Sequence, residues 1–340
     1  MTAGDMAGCG VPAGAMGARR AMVRRAAIDI GTVTCRLMVA DVDGADIRVI
    51  ERGYEVTNLG EGVDATGRIS EAAIERVAHA VDGFLRARDA LSTPEHPGVS
   101  TTVMSTSAAR DAKNAAEFAD MLARRGLHLE VITGDKEAEL TFRGVVAGLP
   151  LGTKVAVVDV GGGSTEVSFG EVGCGLSAAR SFDIGCRRMT ERFFRHDPPL
   201  PLEVDAAMEW AASQFQEWAA QLPFSTDAFQ LFAVAGTATS AISMREEMRV
   251  YDSERVHGAR MDVDQLEQLA GRLAAMTERE REQVTGLDPK RAPVIVAGLL
   301  ILTAVLRSFG FGAFTASESD ILQGMLSCAA EEPVRSGQVR

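Results

Sequence analysis

The sequence predicts an α/β protein in which one order of elements, β-β-β-α-β-α-β-α, occurs twice. Continuous and alternating apolar runs indicate the strands, and apolar residues at helical spacing indicate the helices. Two similar segments open the repeats, residues 27–34 (AIDIGTVT) and residues 157–164 (VVDVGGGS). Each places an acid at the end of a buried strand and continues through a Gly-led turn into a second strand. Because a recurring motif within a recurring order of elements indicates repetition, we interpret the chain as internally duplicated.

The first repeat follows a Gly/Ala/Met-rich stretch, residues 1–22, that has no core-forming pattern and is predicted to be a disordered tail. A Gly-Thr turn and an Asp43-Gly44 turn separate its first three strands. A helix comes next, since apolar residues from Ile74 to Leu85 recur at helical spacing behind the N-cap residue Ser70. The other predicted elements are strands over 26–30, 35–42 and 47–56, then a strand over 99–104, a helix over 114–125, a strand over 129–133 and a helix over 135–147.

The second repeat begins with the strand that contains Asp159 and is longer than the first. Its predicted elements are strands over 154–160, 164–169 and 175–182, helices over 186–194 and 202–221, a strand over 231–235, helices over 237–248 and 263–276, a core helix from Arg291, a strand near Ala313 and a last helix from Glu318.

Two such units are typical of paired ribonuclease-H-like domains that enclose a cleft, with the Gly-led turns as opposed phosphate loops. A chance succession of strands and helices is the alternative. The predicted domains are residues 23–147, joined by the last helix at about 317–330, and residues 148–316.

Composition limits the classes of function. A net charge of −12 argues against a general binder of DNA or of anionic membranes, so an anionic substrate must be held by a local positive site. The apolar stretch over 292–306 is shorter than the roughly 20 residues that span a bilayer, and it predicts a buried helix. Five cysteines, never in a C-x-x-C pair, fit neither a disulfide framework nor a zinc site and predict a reducing, cytoplasmic location. The sequence contains no G-x-x-x-x-G-K-[ST] motif, which excludes a P-loop NTPase.

The segment from Val157 to Glu166 carries the clearest chemical signal. Glycines let the chain bring N–H groups close to phosphate oxygens, Ser164 and Thr165 add hydroxyl donors, and an acid at the strand end can hold Mg²⁺. A hairpin with a glycine bulge is the structural alternative. Three glycines between a buried-strand acid and Ser-Thr-Glu are hard to explain by folding alone, so we favour a phosphate loop.

Five segments in the same order resemble the exopolyphosphatase and guanosine pentaphosphate phosphatase (Ppx/GppA) family. They are residues 27–32 (AIDIGT), similar to its first loop; 105–114 (STSAARDAKN), to its Arg-bearing segment; 132–138 (ITGDKEA), to its catalytic-Glu segment; 159–166 (DVGGGSTE), to its second loop; and 235–239 (AGTAT), to its third loop. The resemblance extends from about residue 26 to about residue 326 and is to the short, two-domain members. It implies a duplicated ribonuclease-H-like fold of the actin, sugar-kinase and heat-shock chaperone superfamily, with an interdomain cleft.

The resemblance also implies a Mg²⁺ (or Mn²⁺) cofactor and roles for particular side chains. Asp159 and Glu166 would belong to the metal site, with Asp29 facing them. Arg110 would clamp a phosphate, and Glu137 would activate water. The phosphate-binding residues would be Gly31, Thr32, Thr34, Gly161, Gly162, Gly163, Ser164, Thr165, Gly236 and Thr237.

Several of these assignments have structural alternatives. Glu137 follows a predicted strand and a glycine, so a solvated glutamate favoured by the helix dipole is the alternative to a base. Arg110 could form a surface ion pair worth ~0.5 kcal/mol, but Arg is also the best bidentate phosphate ligand. The arginines at positions 187, 188, 192 and 195 could line a polyanion path, although a solvated charged face is the commoner explanation.

Three residues depart from the family pattern. Val33 stands where the first loop usually has Asn, Lys136 replaces an acid beside Glu137, and Glu139 replaces an Arg two residues after it. The loss of a loop amide and the exchange of charges near the base predict a changed substrate preference or weaker activity.

We therefore expect stepwise hydrolysis of the terminal phosphate of inorganic polyphosphate, with release of orthophosphate. Hydrolysis of the 5′-γ-phosphate of guanosine pentaphosphate (pppGpp) is the alternative. An actin-like sugar kinase is disfavoured because we identify no adenosine pocket and no base for a sugar hydroxyl, and a non-catalytic binding module is disfavoured because Glu137 is present. The expected partner is polyphosphate or a phosphorylated guanosine nucleotide, without DNA or membrane, and a homodimer remains open.

Overall fold

A five-stranded mixed sheet organises the first half of the chain. The computed structural model describes residues 22–44 and 46–331, so the predicted tail lies outside the described residues except for Met22. The strands of this sheet are β1 (Val23–Ile30), β2 (Thr34–Asp43), β3 (Asp46–Val56), β4 (Ser100–Ser105) and β5 (Leu129–Val131). Their order is β3-β2-β1-β4-β5, with β1 antiparallel to β2 and parallel to β4.

A six-stranded sheet with the same central arrangement organises the second half. Its strands are β6 (Lys154–Val160), β7 (Thr165–Glu171), β8 (Gly175–Phe182), β9 (Gln230–Val234), β10 (Arg260–Asp262) and β11 (Ala313–Ala316). Their order is β10-β11-β9-β6-β7-β8, which matches the first sheet apart from the short edge strand β10. As in the first sheet, the opening strand, β6, is antiparallel to the next strand, β7. It is parallel to β9. The predicted duplicated ribonuclease-H-like fold is confirmed.

Helices cover both sheets. Those of the first half are α1 (Val63–Thr66), α2 (Glu71–Asp89), α3 (Ser107–Asp111), α4 (Ala115–Ala123) and α5 (Gly134–Val146). Those of the second half are α6 (Cys186–Phe193), α7 (Pro201–Ala219), α8 (Ala235–Arg245), α9 (Ser253–Val256), α10 (Val263–Ala274), α11 (Glu278–Arg281), a 3-10 turn (Pro289–Arg291), α12 (Ile295–Phe309) and α13 (Ile321–Glu331). The predicted N-cap of α2 is present, since Ser70 Oγ accepts a hydrogen bond from the Ala73 N–H at 3.2 Å.

Helix α12 forms the centre of the second half. All of its residues except Arg307 and Ser308 are buried, as expected for a core helix. It packs in one apolar cluster with β6, β7 and α7, where Phe169, Phe215 and Trp218 supply much of the volume. No helix in the described part of the chain is long and apolar enough to cross a membrane.

The last helix, α13, returns to the first half and packs against α5. The contact is made through backbone atoms: a Cβ atom on Gly144 would lie 1.9 Å from the Asp320 carbonyl oxygen, and one on Gly324 would lie 2.0 Å from the Leu140 carbonyl oxygen. Both positions therefore require glycine. The helix that carries Glu137 is thus held directly against the start of the last helix.

The structure differs from the sequence-based expectations at several element ends. The segment predicted as a third loop is the first turn of α8, which begins at Ala235 directly after β9. Arg110 lies in the short helix α3, where we expected a turn. The helices predicted from Arg291 and Glu318 begin at Ile295 and Ile321, because a 3-10 turn and a capping aspartate precede them. The predicted domain limits after residues 147 and 316 fall between elements and remain a proposal.

Candidate active site

A cavity of about 840 Å³ is lined by both halves of the chain. The acids that end the two opening strands, Asp29 and Asp159, both face it. Of the residues predicted from the sequence, those that line it are Asp29, Gly31, Thr32, Thr34, Glu137, Asp159, Gly161, Gly162, Gly163, Ser164 and Gly236. The fold therefore brings the first turn, the second turn and the start of α5 together around one space.

The two Gly-led turns have the same internal hydrogen bond. In the first turn the Gly31 N–H donates to the Thr34 carbonyl at 2.8 Å, and in the second the Gly161 N–H donates to the Ser164 carbonyl at 3.0 Å. The duplication thus extends from the order of elements to the geometry of the turn.

Donors outside each turn hold its carbonyl groups. In the first turn, N–H groups from residues 57–60 donate to the carbonyls of Thr32 and Val33 at 2.9 Å. In the second turn, N–H groups at the start of α6 donate to the carbonyls of Gly161 and Gly162 at 2.9–3.2 Å. The N–H groups of Gly162 and Gly163 belong to the same two peptide units. Because the N–H and C=O of a trans peptide point in opposite directions, these two N–H groups point away from α6. These two N–H groups have no acceptor among the described residues, so they are free to bind a ligand oxygen.

Packing between the two halves also requires glycine in the second turn. A Cβ atom on Gly162 would lie 2.6 Å from Val33 Cγ2, and one on Gly163 would lie 2.3 Å from Ser107 Oγ. The turns are therefore in van der Waals contact across the cleft. Folding explains two of the three glycines, contrary to our expectation that folding alone could not account for them.

Five buried carboxyl groups lie in this region: Asp29, Glu137, Asp159, Glu166 and Asp320. Burial, and then the neighbouring Glu166, raises the pKa of Asp159 to about 8. Burial raises the pKa of Glu166 to about 7, although a hydrogen bond from Ser181 opposes the shift. The pKa of Glu137 is raised by burial and then by Glu166 and Asp159. The cluster thus concentrates negative charge that favours a cation or a proton.

Two oxygens of this cluster have no partner. Glu137 Oε2 and Glu166 Oε2 are buried without a hydrogen bond, whereas Glu166 Oε1 accepts from Ser181 Oγ at 2.6 Å. Buried acceptors are normally satisfied, so an unpaired pair of carboxylate oxygens indicates a missing donor or cation. The alternative that Glu137 is a solvated helix-start residue is wrong, because only 8% of it is exposed.

These carboxylates fit a hard divalent cation. The described residues contain no group of three or more His, Cys, Asp or Glu side chains already arranged to hold a metal ion. Mg²⁺, however, is usually bound by one or two carboxylates, with water and substrate phosphates completing its shell. Asp159 and the unpaired oxygen of Glu166 provide such a partial set.

The acid of the first turn is already neutralised. Arg36 donates to Asp29 Oδ2 from Nε at 3.1 Å and from Nη2 at 2.5 Å, and its Nη1 donates to Asp320. Asp320 also caps α13, since its Oδ1 accepts from the Leu322 N–H at 3.0 Å. Arg36 therefore links the first turn to the last helix.

Arg110 lies beside the carboxylates. Its Nη1 donates to the Ile132 carbonyl at 3.2 Å, and its Nε is 4.0 Å from Asp111, at the limit of an ion pair. Its positive charge opposes the rise in the pKa of both Glu137 and Glu166. The guanidinium is thus close to both acids and is not occupied by a strong surface ion pair.

Two predicted phosphate-binding side chains point elsewhere. Thr165 Oγ1 donates to the Ile184 carbonyl at 2.5 Å. Thr237 is buried against α12, where a Cβ atom on Gly298 would lie 2.6 Å from its Oγ1. Gly236 does line the cavity, and the guanidinium of Arg291 covers it so closely that a Cβ atom would lie 1.8 Å from Nη2.

A model of the Ppx/GppA phosphatase family matches residues 38–330. The chain belongs to this family. It is therefore an enzyme, a hydrolase of phosphoric anhydrides. It is 37% identical over 320 residues to Exopolyphosphatase 2 of Mycobacterium tuberculosis, with 90% of this chain and 98% of that protein covered.

Solved structures of Ppx/GppA proteins share the fold. An exopolyphosphatase from Cytophaga hutchinsonii has a TM-score of 0.79 at 26% identity, with 90% of this chain and 97% of the other covered. The Aquifex aeolicus family member has a TM-score of 0.74 at 28% identity, with 91% and 97% covered. The resemblance inferred from the five motifs is thus confirmed.

The three departures from the Ppx/GppA pattern have structural consequences. Lys136 Nζ donates to Glu139 Oε2 at 3.1 Å, so the two exchanged charges pair with each other on the exposed side of α5. Val33 is buried and packs against Gly162. The changes thus leave the buried carboxylates in place and alter the rim and the contact between the turns.

Further charged residues that we did not predict line the Ppx/GppA cavity, among them Arg36, Arg291 and Asp320. Arg36 is the one charged residue in the segment over 35–40 of β2, and such a charge in a buried strand is a usable signal. Asp320 directly precedes an apolar helix and could have been identified as its N-cap. Their contact could not be predicted, because 284 positions separate Arg36 from Asp320 in the chain.

Proposed function

We propose that the enzyme is an exopolyphosphatase, which removes the terminal phosphate of inorganic polyphosphate and releases orthophosphate. The observation that carries the proposal is that turn N–H groups without an acceptor among the described residues and the buried, unpaired oxygen of Glu137 lie around one cavity. The N–H groups suit phosphate oxygens, and the carboxylates suit a cation and a water molecule. The near full-length similarity to Exopolyphosphatase 2 supports polyphosphate as the substrate.

In this proposal the second turn and Arg110 hold the terminal phosphate. The free N–H groups of the turn donate to its oxygens, and the Arg110 guanidinium stabilises the charge that spreads over them in the transition state. Asp159 and Glu166 would hold a divalent cation, Mg²⁺ or Mn²⁺, which would supply further charge neutralisation. The first turn closes the opposite side of the phosphate.

Glu137 is the proposed base. Its unpaired Oε2 accepts a hydrogen bond from the attacking water and then the proton of that water, as the bond between phosphorus and the bridging oxygen breaks. The shortened chain leaves with the bridging oxygen, and the water oxygen becomes part of orthophosphate. A raised pKa helps Glu137 to retain the proton until the product departs.

A second candidate substrate is pppGpp. The cavity continues past the carboxylates to a wall formed by Tyr54, Met248, Tyr251 and Leu287. Its volume of about 840 Å³ is within the range of sites for drug-sized ligands and exceeds what a terminal phosphate needs. An aromatic and apolar wall favours a nucleoside at that end.

Phosphate release from polyphosphate, pppGpp and ATP, measured side by side, distinguishes the candidates. We expect the highest kcat/KM on polyphosphate, and we expect excess EDTA to abolish release from every substrate because the buried acids would otherwise repel a polyanion. A higher kcat/KM on pppGpp would replace the first proposal with the second. Undiminished turnover in EDTA would contradict the cation requirement.

We also propose a cytoplasmic location, with polyphosphate or a guanosine nucleotide as the partner. Of the four cysteines in the described part of the chain, Cys35, Cys186 and Cys328 are free thiols. The fifth, Cys9, lies outside the described residues.

A further inference from the structure

One arginine of α6 joins the second turn to the first half of the chain. Arg188 Nε donates to the Gly163 carbonyl at 2.9 Å, Nη1 donates to Asp64 Oδ1 at 2.6 Å, and Nη2 donates to Asp111 Oδ2 at 2.6 Å. The side chain is 18% exposed. The expectation of a solvated charged face is therefore wrong for Arg188, since all three of its nitrogens are engaged.

The contact with Gly163 orients the N–H group of Ser164, a residue that lines the cavity. The Gly163 carbonyl shares a peptide unit with the Ser164 N–H, and the planar trans peptide makes the two point in opposite directions. Backbone donors of α6 already hold the two preceding carbonyls. Arg188 Nε thus holds the last of the three carbonyls that orient the N–H groups of the second turn, and it is the one donor that comes from a side chain.

The contact with Asp111 reaches the other charged element of the site. Asp111 ends α3 and directly follows Arg110, and it also accepts a weak hydrogen bond from Ser107 Oγ at 3.4 Å. The position of the Arg188 guanidinium therefore determines where the end of α3 lies relative to the second turn. Asp64 is bound at the same distance but belongs to α1 and not to α3 or the second turn.

We propose that Arg188 is a positioning residue for the reaction: it holds the N–H groups of the second turn and the Arg110 guanidinium in one geometry around the terminal phosphate. This inference rests on the proposed phosphohydrolase function. All three guanidinium nitrogens of Arg188 are engaged by protein groups, so it acts through Gly163 and Asp111 and not by contact with the substrate. A misplacement of about 1 Å in such groups can lower a rate by about 10²-fold.

The direct test compares Arg188→Met and Arg188→Lys with the wild type at 20 °C, using the best substrate of the wild type. We expect Arg188→Met to lower kcat about 30-fold or more while KM changes less than about threefold, because the aligned donors act mainly in the transition state. Arg188→Lys keeps the charge but not the fork of three donors, so we expect an intermediate kcat.

Asp111→Asn and Asp64→Asn are a matched pair, since both carboxylates bind the same guanidinium at 2.6 Å. We expect Asp111→Asn to lower kcat about tenfold and Asp64→Asn to leave it within about twofold. Equal losses for the two variants would mean that Arg188 only fastens the two halves together, which would overturn the proposal.

Hydrogen–deuterium exchange gives a readout that does not depend on turnover. We expect Arg188→Met to accelerate exchange in the peptide that contains residues 161–165, and Asp64→Asn to leave that exchange unchanged. Unaltered exchange, or a kcat of Arg188→Met within twofold of wild type, overturns the positioning role. A wild type without activity on any of the three substrates refutes the proposed function instead, while the exchange result still stands.

Discussion

The two Gly-led turns have the same internal backbone hydrogen bond, but their acids differ in whether an arginine pairs with them. Asp29 of the first turn is bound twice by Arg36, whereas Asp159 of the second turn is buried beside Glu166 and has no ion-pair partner among the described residues. The duplication therefore produced the same turn geometry twice, but the acid on one side of the cleft has no ion-pair partner among the described residues. We therefore expect cation binding and base chemistry to depend on the second turn and α5, and the first turn to act mainly through its backbone.

The largest effect should come from Glu137, which faces the unneutralised side. Glu137→Gln keeps the size of the side chain and removes the basic oxygen, so we expect kcat to fall by roughly 10²- to 10⁴-fold. The melting temperature should not decrease, because the substitution removes a buried negative charge from the carboxylate cluster.

Lys136→Ala is the matched control for Glu137→Gln, since Lys136 is adjacent on α5 but pairs with Glu139 at the exposed side. It should change KM or substrate preference more than kcat. Near wild-type kcat in Glu137→Gln would show that the base lies elsewhere, and Glu166 and then Glu139 would be tested in its place.

A direct comparison of the turns pairs Asp159→Asn with Asp29→Asn. We expect Asp159→Asn to lower kcat by about 10²-fold and to weaken Mg²⁺ binding measured by titration calorimetry, because it removes a proposed metal-binding oxygen. Asp29→Asn leaves Arg36 with one carboxylate fewer, so it should mainly lower the free energy of unfolding, by about 1–3 kcal/mol. If both variants weaken Mg²⁺ binding equally, the distinction between the turns is wrong.

A smaller effect is expected at Arg110, which lies beside Glu137 and Glu166. Arg110→Ala should raise the activation free energy by ~2 kcal/mol or more, which is about 30-fold in kcat/KM, since the Arg stabilises charge on the transferred phosphoryl group. Arg110→Lys should recover part of the loss, because it restores a charge without the planar fork. A loss of only about twofold, ~0.4 kcal/mol, would reduce Arg110 to a structural residue.

The smallest effect concerns stability and follows from the raised pKa values of Asp159 and Glu166, about 8 and about 7. An acid whose pKa is higher in the folded than in the unfolded state binds protons more tightly when folded. Stability of the cation-free protein therefore falls as the pH rises from about 4 through 8.

This direction of the pH dependence predicts that Asp159→Asn is more stable than the wild type in EDTA at pH 8.5, by about 1–3 kcal/mol in the free energy of unfolding. The difference should shrink as the pH falls towards 4. Urea denaturation of both proteins across this range measures it. A difference that does not depend on pH would show that Asp159 is not the titrating group.

Much of the site could be predicted from local sequence. The acid before each Gly-led turn, the position of Glu137 in the first turn of a helix and the N-cap at Ser70 depend on neighbouring residues, and short-range backbone preferences specify them. The helix predicted from Thr237 begins two residues earlier, at Ala235, because a Gly-Thr pair fits a loop and a helix start equally well. Only the pairing of β9 with β6 and the packing of α8 on α12 decided between them.

The sequence by itself determined the duplicated order of elements, the two turns and the type of chemistry, because periodicity, glycine and the kinds of side chain are local properties. Only the tertiary structure decided which acid is neutralised and which is free. Arg36 reaches Asp29 across neighbouring strands and Asp320 across 284 positions, and Arg188 reaches Gly163 across 25 positions and Asp111 across 77. Such contacts depend on how the two halves and the last helix pack together, and the pattern of residues along one strand or one helix does not contain that information.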